Sequence, residues 1–143
     1  MKNKDDFSKE AIIEPLEGAI NYLDQVFLNK ELISDALDDE NYQKAWEEFE
    51  NLILGIETLN ELLNNIKNLL GLNYKELEYE DKKINSYIED FNVFLKDDLM
   101  IAMENKDYVL VSDLINYELQ TYLKEYQKIF IFLLDYVNKM KIS

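Results

Sequence analysis

The chain has 143 residues, 48% of them hydrophobic, with 30 acidic against 15 basic side chains and a formal net charge of −15 at pH 7. Three Gly and one Pro leave little material for all-β turns, while the length suits one domain with a core that needs no disulfide or metal. There is no His or Cys and every cation is Lys, which excludes zinc sites, thiol chemistry, Ser-His or Cys-His catalysis and bidentate Arg recognition of phosphate or guanine.

In chain order, Met1 to Glu10 reads as a flexible polar lead with no apolar h-region, so it is not a secretory signal. Residues 11–143 read as one helical domain. Ile12, Leu16, Ala19, Ile20, Leu23, Val26, Phe27, Ile33 and Leu37 recur at steps of three and four, predicting an amphipathic helix. Pro15 belongs in a first turn, which places the regular start near Glu14. Asn41 is a natural N-cap for a second helix carrying Ala45, Trp46, Phe49, Leu52, Ile53, Ile56, Leu59, Leu62, Leu63, Ile66, Leu69 and Leu70 on one face. Gly71 stops it, with Leu72 folding back, and Gly55 within it suggests close approach of a neighbouring backbone. Asn73 is expected to open a third helix with Leu77, Ile84, Tyr87, Ile88, Phe91, Phe94, Leu95, Leu99, Ala102 and Met103, its charged first turns prone to fray. Asp107 caps a fourth with Tyr108, Val111, Ile115, Leu119, Tyr122, Tyr126, Ile129, Phe130, Leu133, Val137 and Met140. The longest apolar run, Ile129 to Leu134, is far shorter than the roughly 20 residues of a membrane span. A cytoplasmic protein with no membrane partner is expected.

One turn is written twice. Residues 36–45, A-L-D-D-E-N-Y-Q-K-A, align at an offset of 66 with residues 102–111, A-M-E-N-K-D-Y-V-L-V. Internal self-similarity marks a repeated supersecondary unit. The expected fold is therefore all-α: an antiparallel up-down-up-down four-helix bundle of two related hairpins joined by connections of two to six residues. A tetratricopeptide-like helical repeat is the alternative, since D-Y-x-x-A also begins such a helix. Unbroken segments at 42–70 and 107–140 speak for the bundle.

Chemistry finds little footing. The carboxylate pairs Glu57 with Glu61, Asp97 with Asp98, and Asp113 with Glu118 lack the His of a ferritin-like di-iron site. The acidic turns at 38–41 and 104–107 lack the alternating ligands and central Gly of a calcium loop. No cofactor or metal is expected, nor an enzyme. A small-ligand cavity lined by Trp46, Tyr87 and Phe91 is a further possibility for the bundle. The net charge repels a polyanion, so nucleic acid is not an expected partner.

Helix 4 carries the clearest functional hint. Measured around the wheel from Tyr126, Leu110, Leu114, Tyr117 and Phe132 point to the opposite side, with Ile131 beside them. A bundle helix needs one apolar stripe. Either helix 4 packs on both sides, or the second strip is uncovered and meets a protein partner or another copy of the chain. Leu110, Leu114, Tyr117, Ile131 and Phe132 are thus the candidate partner-binding residues.

I-A-M-E-N-K-D-Y-V-L-V-S-D-L-I-N-Y-E-L at 101–119 and E-G-A-I-N-Y-L-D-Q-V-F at 17–27 resemble the hairpin and first helix of the flagellin-specific export chaperones. The family's Tyr-containing arm and Ser-Pro helix start have no counterpart in Met1 to Pro15. The resemblance implies a small cytoplasmic bundle that shields a helical segment of a secreted subunit such as flagellin.

Overall fold

The structure, a computed structural model, describes residues 4–140, and side chains from Glu10 onward; Met1 to Asn3 of the expected lead lie outside the described residues. Helix α1 runs Lys4–Asp38 and α2 runs Tyr42–Leu70. A two-stranded antiparallel hairpin follows, β1 at Glu78–Tyr79 and β2 at Lys82–Lys83. Helix α3 spans residues 84–104 and α4 spans residues 108–138, each interrupted by a wide π-helical segment, Phe94–Leu99 in α3 and Leu114–Leu119 in α4. The fold is all-α, a four-helix bundle of two hairpins. With α1 at 35 residues and α2 at 29, a tetratricopeptide-like stack of short helices does not describe it.

The repeated turn is repeated in its hydrogen bonds. Asn41 N–H donates to Ala36 O at 2.8 Å and Glu40 N–H to Leu37 O at 3.1 Å; Asp107 N–H donates to Ala102 O and Lys106 N–H to Met103 O, both at 3.0 Å. Each pair is a Schellman closure around one left-handed residue, Glu40 at φ 57 and Lys106 at φ 56. The residue that completes the closure is also the cap of the next helix. Asn41 Oδ1 accepts from Lys44 N–H at 3.2 Å, and Asp107 Oδ1 from Leu110 N–H at 3.3 Å. Only residues 39–41 and 105–107 separate the helices of each pair, so each pair folds back at once.

The two turns meet at one end of the bundle. Tyr42 stacks on Tyr108, ring centroids 4.1 Å apart and 8° from parallel. Further along, Tyr126 donates to Asn60 Oδ1 at 2.6 Å. Both pairs are separated by the same 66 residues as the turns, so α2 and α4 run parallel about a pseudo-two-fold axis along the bundle. Tyr126 is 1% exposed and its ring lies edge-on to Phe91 at 4.7 Å. Asn60 in turn donates to Asn92 Oδ1 at 3.0 Å, linking α2, α3 and α4 through one polar chain.

Three expectations need correction. Helix α1 begins at Lys4 and runs through Pro15. Proline removes the bond to the carbonyl of Ala11, and both residues are exposed, where losing that bond costs less than it would in the core. Gly55 is buried against side chains, not backbone: a Cβ there would meet Val26 Cγ2 at 3.2 Å and the Tyr22 hydroxyl at 3.3 Å. Finally, α3 begins at Ile84, and residues 71–83 form a longer connection. Gly71, at φ 64, ends α2 with Leu72 N–H donating to Lys67 O at 2.9 Å, as expected. Tyr74 then buries its ring and donates to Leu63 O at 2.7 Å, which diverts the chain from helical continuation. Glu80 and Asp81, both at positive φ, make the tight two-residue hairpin turn.

The equivalence of the two turns predicts equivalent sensitivity. Asn41→Ala and Asp107→Ala are each expected to lower the unfolding free energy by about 1 kcal/mol in urea melts, with glycine at either site costing much less. A large effect at one site and none at the other would contradict the duplicated geometry.

Candidate partner-binding site

The outward strip expected on α4 is divided in the structure. Leu110, Tyr117 and Ile131 are 42%, 72% and 50% exposed, whereas Leu114 is 9% exposed and Phe132 is half-buried. The two departures have different causes. A π-turn holds one residue more than an α-turn, so side chains upstream of Leu114–Leu119 are rotated by about 100° from an ideal wheel. That rotation brings Leu114 round towards the face of Tyr126. Phe132 lies downstream and is covered instead by the β-hairpin, its ring centroid 5.1 Å from that of Tyr79.

What remains open is a groove of about 340 Å³ between the outer faces of α3 and α4. Its apolar lining is Ile101 and Ala102 from α3 with Leu110 and Leu114 from α4. Four carboxylates stand around it, Asp97, Asp98, Asp107 and Glu118, and no Lys is among its lining residues. The two wide segments contribute directly: Asp97 and Asp98 come from that of α3, Leu114 and Glu118 from that of α4. Ser34, buried on α1, donates to Asn116 Oδ1 at 3.3 Å and ties the wide segment of α4 to the bundle. Val109 and Tyr117, at 78% and 72% exposed, extend the apolar character of α4 beyond the groove. Among the described residues, no group of three or more acidic side chains is placed to hold a metal ion.

Helical periodicity singled out Leu110 and Leu114 but not Ile101, which sits on another helix. Asp97, Asp98 and Glu118 stood out only as neighbouring carboxylates in the chain, and nothing local says that they converge. The cavity expected from Trp46, Tyr87 and Phe91 does not form. Phe91 is fully buried, stacked on Tyr122 at 5.2 Å, and Tyr87 donates its hydroxyl to Tyr79 O at 3.0 Å. Trp46 lies apart from both, in an open groove between α2 and α3.

A cluster of coupled charges and phenols sits where the β-hairpin meets α3 and α4. Lys82 of the hairpin pairs with Asp90 at 2.7 Å and stands 4.6 Å above the Tyr87 ring. Burial holds the Glu125 carboxyl above its ordinary range; Asp90 adds to this, and Lys82 and Lys128 oppose it. Burial also raises the phenols of Tyr79, Tyr87 and Tyr122.

A residue-matched family model carries the description "Domain of unknown function (DUF8042)" and covers residues 14–129, a span that contains both turns, the hairpin and the α3–α4 groove. No curated protein and no solved structure matches the chain.

The Glu125 shift sets a pH dependence. Between the ordinary glutamate value and the raised folded value, the folded state binds more protons than the unfolded one, so this group's contribution falls as pH rises through that window. Glu125→Gln is expected to remove that component: the stability of the variant relative to the parent increases with pH across the window and levels off above it. Parallel pH–stability curves in thermal melts would show that Glu125 titrates normally.

Proposed function

The chain belongs to the DUF8042 family, whose function is unknown, and from the groove on its second hairpin we propose that the protein is a non-enzymatic interaction module. Its partner is a protein presenting a basic, amphipathic helix to the α3–α4 groove. The observation that carries this reading is the apolar floor of Ile101 and Leu110 framed by four carboxylates with no cation in the lining. A helix laid in such a groove places an apolar residue at every third or fourth position against the floor and Lys or Arg against the rims. Charge complementarity of this kind speeds encounter and rejects acidic partners.

Self-association through the same surface is disfavoured. A second copy would bring another net charge of −15 to an already acidic groove. The same repulsion argues against nucleic acid. No described helix is long and apolar enough to cross a membrane, so a spanning role is not part of the reading.

A second reading is favoured by one observation. Segment 101–119, which resembles the hairpin of flagellin-specific export chaperones, contributes Ile101, Leu110, Leu114 and Glu118 to the groove. On this reading the bound helix belongs to a secreted subunit such as flagellin, shielded until export.

Leu110→Asp and Ile101→Asp, both at exposed positions, are expected to abolish partner capture while leaving the melting temperature within a few degrees of the parent. Asp97→Asn with Glu118→Gln is expected to weaken capture and flatten its dependence on salt. Unchanged capture by all of these variants would sink the assignment of the groove. Delay of flagellin polymerisation by the parent, lost in Leu110→Asp, would select the chaperone reading; no delay would remove it.

A further inference from the structure

A second groove, of about 450 Å³, lies between α2 and α3 beside the paired turns and shares no lining residue with the α3–α4 groove. Helix α2 supplies Trp46, Phe49, Ile53 and Leu54 to its walls, and α3 supplies Met100. Leu54 is 61% exposed, and the half-buried Trp46 ring stands edge-on to Phe49 at 5.8 Å. The charged groups are two carboxylates on opposite helices, Glu50 and Glu104. No Lys lines the groove.

This composition discriminates by charge. An apolar anion would meet two carboxylates; a neutral apolar ligand would gain the hydrophobic term alone. A cation with an apolar body gains that term, attraction to both carboxylates, and contact with an aromatic ring that favours positive charge. The volume of about 450 Å³ falls in the roughly 300–1,000 Å³ range of small-molecule sites.

We propose that the α2–α3 groove binds a small lipophilic cation, with an aromatic or alkyl body against Trp46, Ile53 and Met100 and its charge between Glu50 and Glu104. The site is independent of the partner-binding reading and stands or falls separately from it.

Trp46 is the only Trp of the chain and reports directly on the site. The full-length protein is titrated with tetraphenylphosphonium and, separately, with tetraphenylborate, which has the same shape and the opposite charge. The expected result is a saturable change in Trp46 emission with the phosphonium alone, persisting in salt that screens the general surface charge. Glu50→Gln with Glu104→Gln, both at exposed positions, is expected to weaken that response about tenfold or more, with an unaltered circular-dichroism melt. Glu57→Gln with Glu61→Gln, elsewhere on α2, leaves it unchanged. Equal responses to the two ions, no saturable response, or a phosphonium response indifferent to Glu50 and Glu104 would each overturn the proposal. So would a Glu50- and Glu104-dependent response confined to a basic amphipathic peptide, which would make the groove a protein-docking surface.

Discussion

The fold depends on a turn in which the residue that closes one helix also caps the next. At 36–45 and again at 102–111, a left-handed residue satisfies the last carbonyls of the incoming helix, and the Asn or Asp after it satisfies a free N–H of the outgoing one. A helix end otherwise leaves several backbone groups unpaired. Here both ends are served within three residues, Glu40 and Lys106 accepting a backbone conformation that costs about 1 kcal/mol or more for a side chain bearing Cβ. Because only three residues intervene, the helices leave the turn antiparallel and in contact. Stacking of Tyr42 on Tyr108 then brings the two turns together and aligns the hairpins.

Pseudo-symmetry ends where the second hairpin departs from regular α-helix. Its two wide segments have no equivalent in α1 or α2, which are α-helical throughout their described lengths. An extra residue in a turn cannot be absorbed without rotating one part of the helix against the other. In α4 that rotation directs Leu114 inward, and in both helices the widened segments carry carboxylates to the rim of the groove. Wide turns of this kind occur frequently at functional sites, and here they shape the groove between α3 and α4.

The acidic charge acquires a specific meaning in this setting. Spread over a bundle, a net charge of −15 serves chiefly to keep copies apart. Concentrated around apolar walls in two separate grooves, the same carboxylates give each groove a local negative charge that the proposed occupants, a basic helix in one and a compact cation in the other, would offset. Helix α3 supplies residues to both: Ile101 on one side, Met100 on the other.

The all-α class, the two hairpins, both Asx caps, the Gly71 stop and most of the core stripe were legible from residue order, because each rests on local backbone chemistry or on a period of 3.6 residues. Residues 73–83 fit a helix by residue order as well as a hairpin, because their mix of Leu, Tyr and charge suits either structure; burial of Tyr74 and the pairing of Glu78 with Lys83 decide it. Leu114 and Phe132 were placed outward by a wheel that assumes an unbroken α-helix and knows nothing of a hairpin packed on top. Only the tertiary structure could bring Ile101 to Leu110, or Glu50 to Glu104, since convergence of side chains from different helices depends on how the rods pack and leaves no periodic trace along the chain.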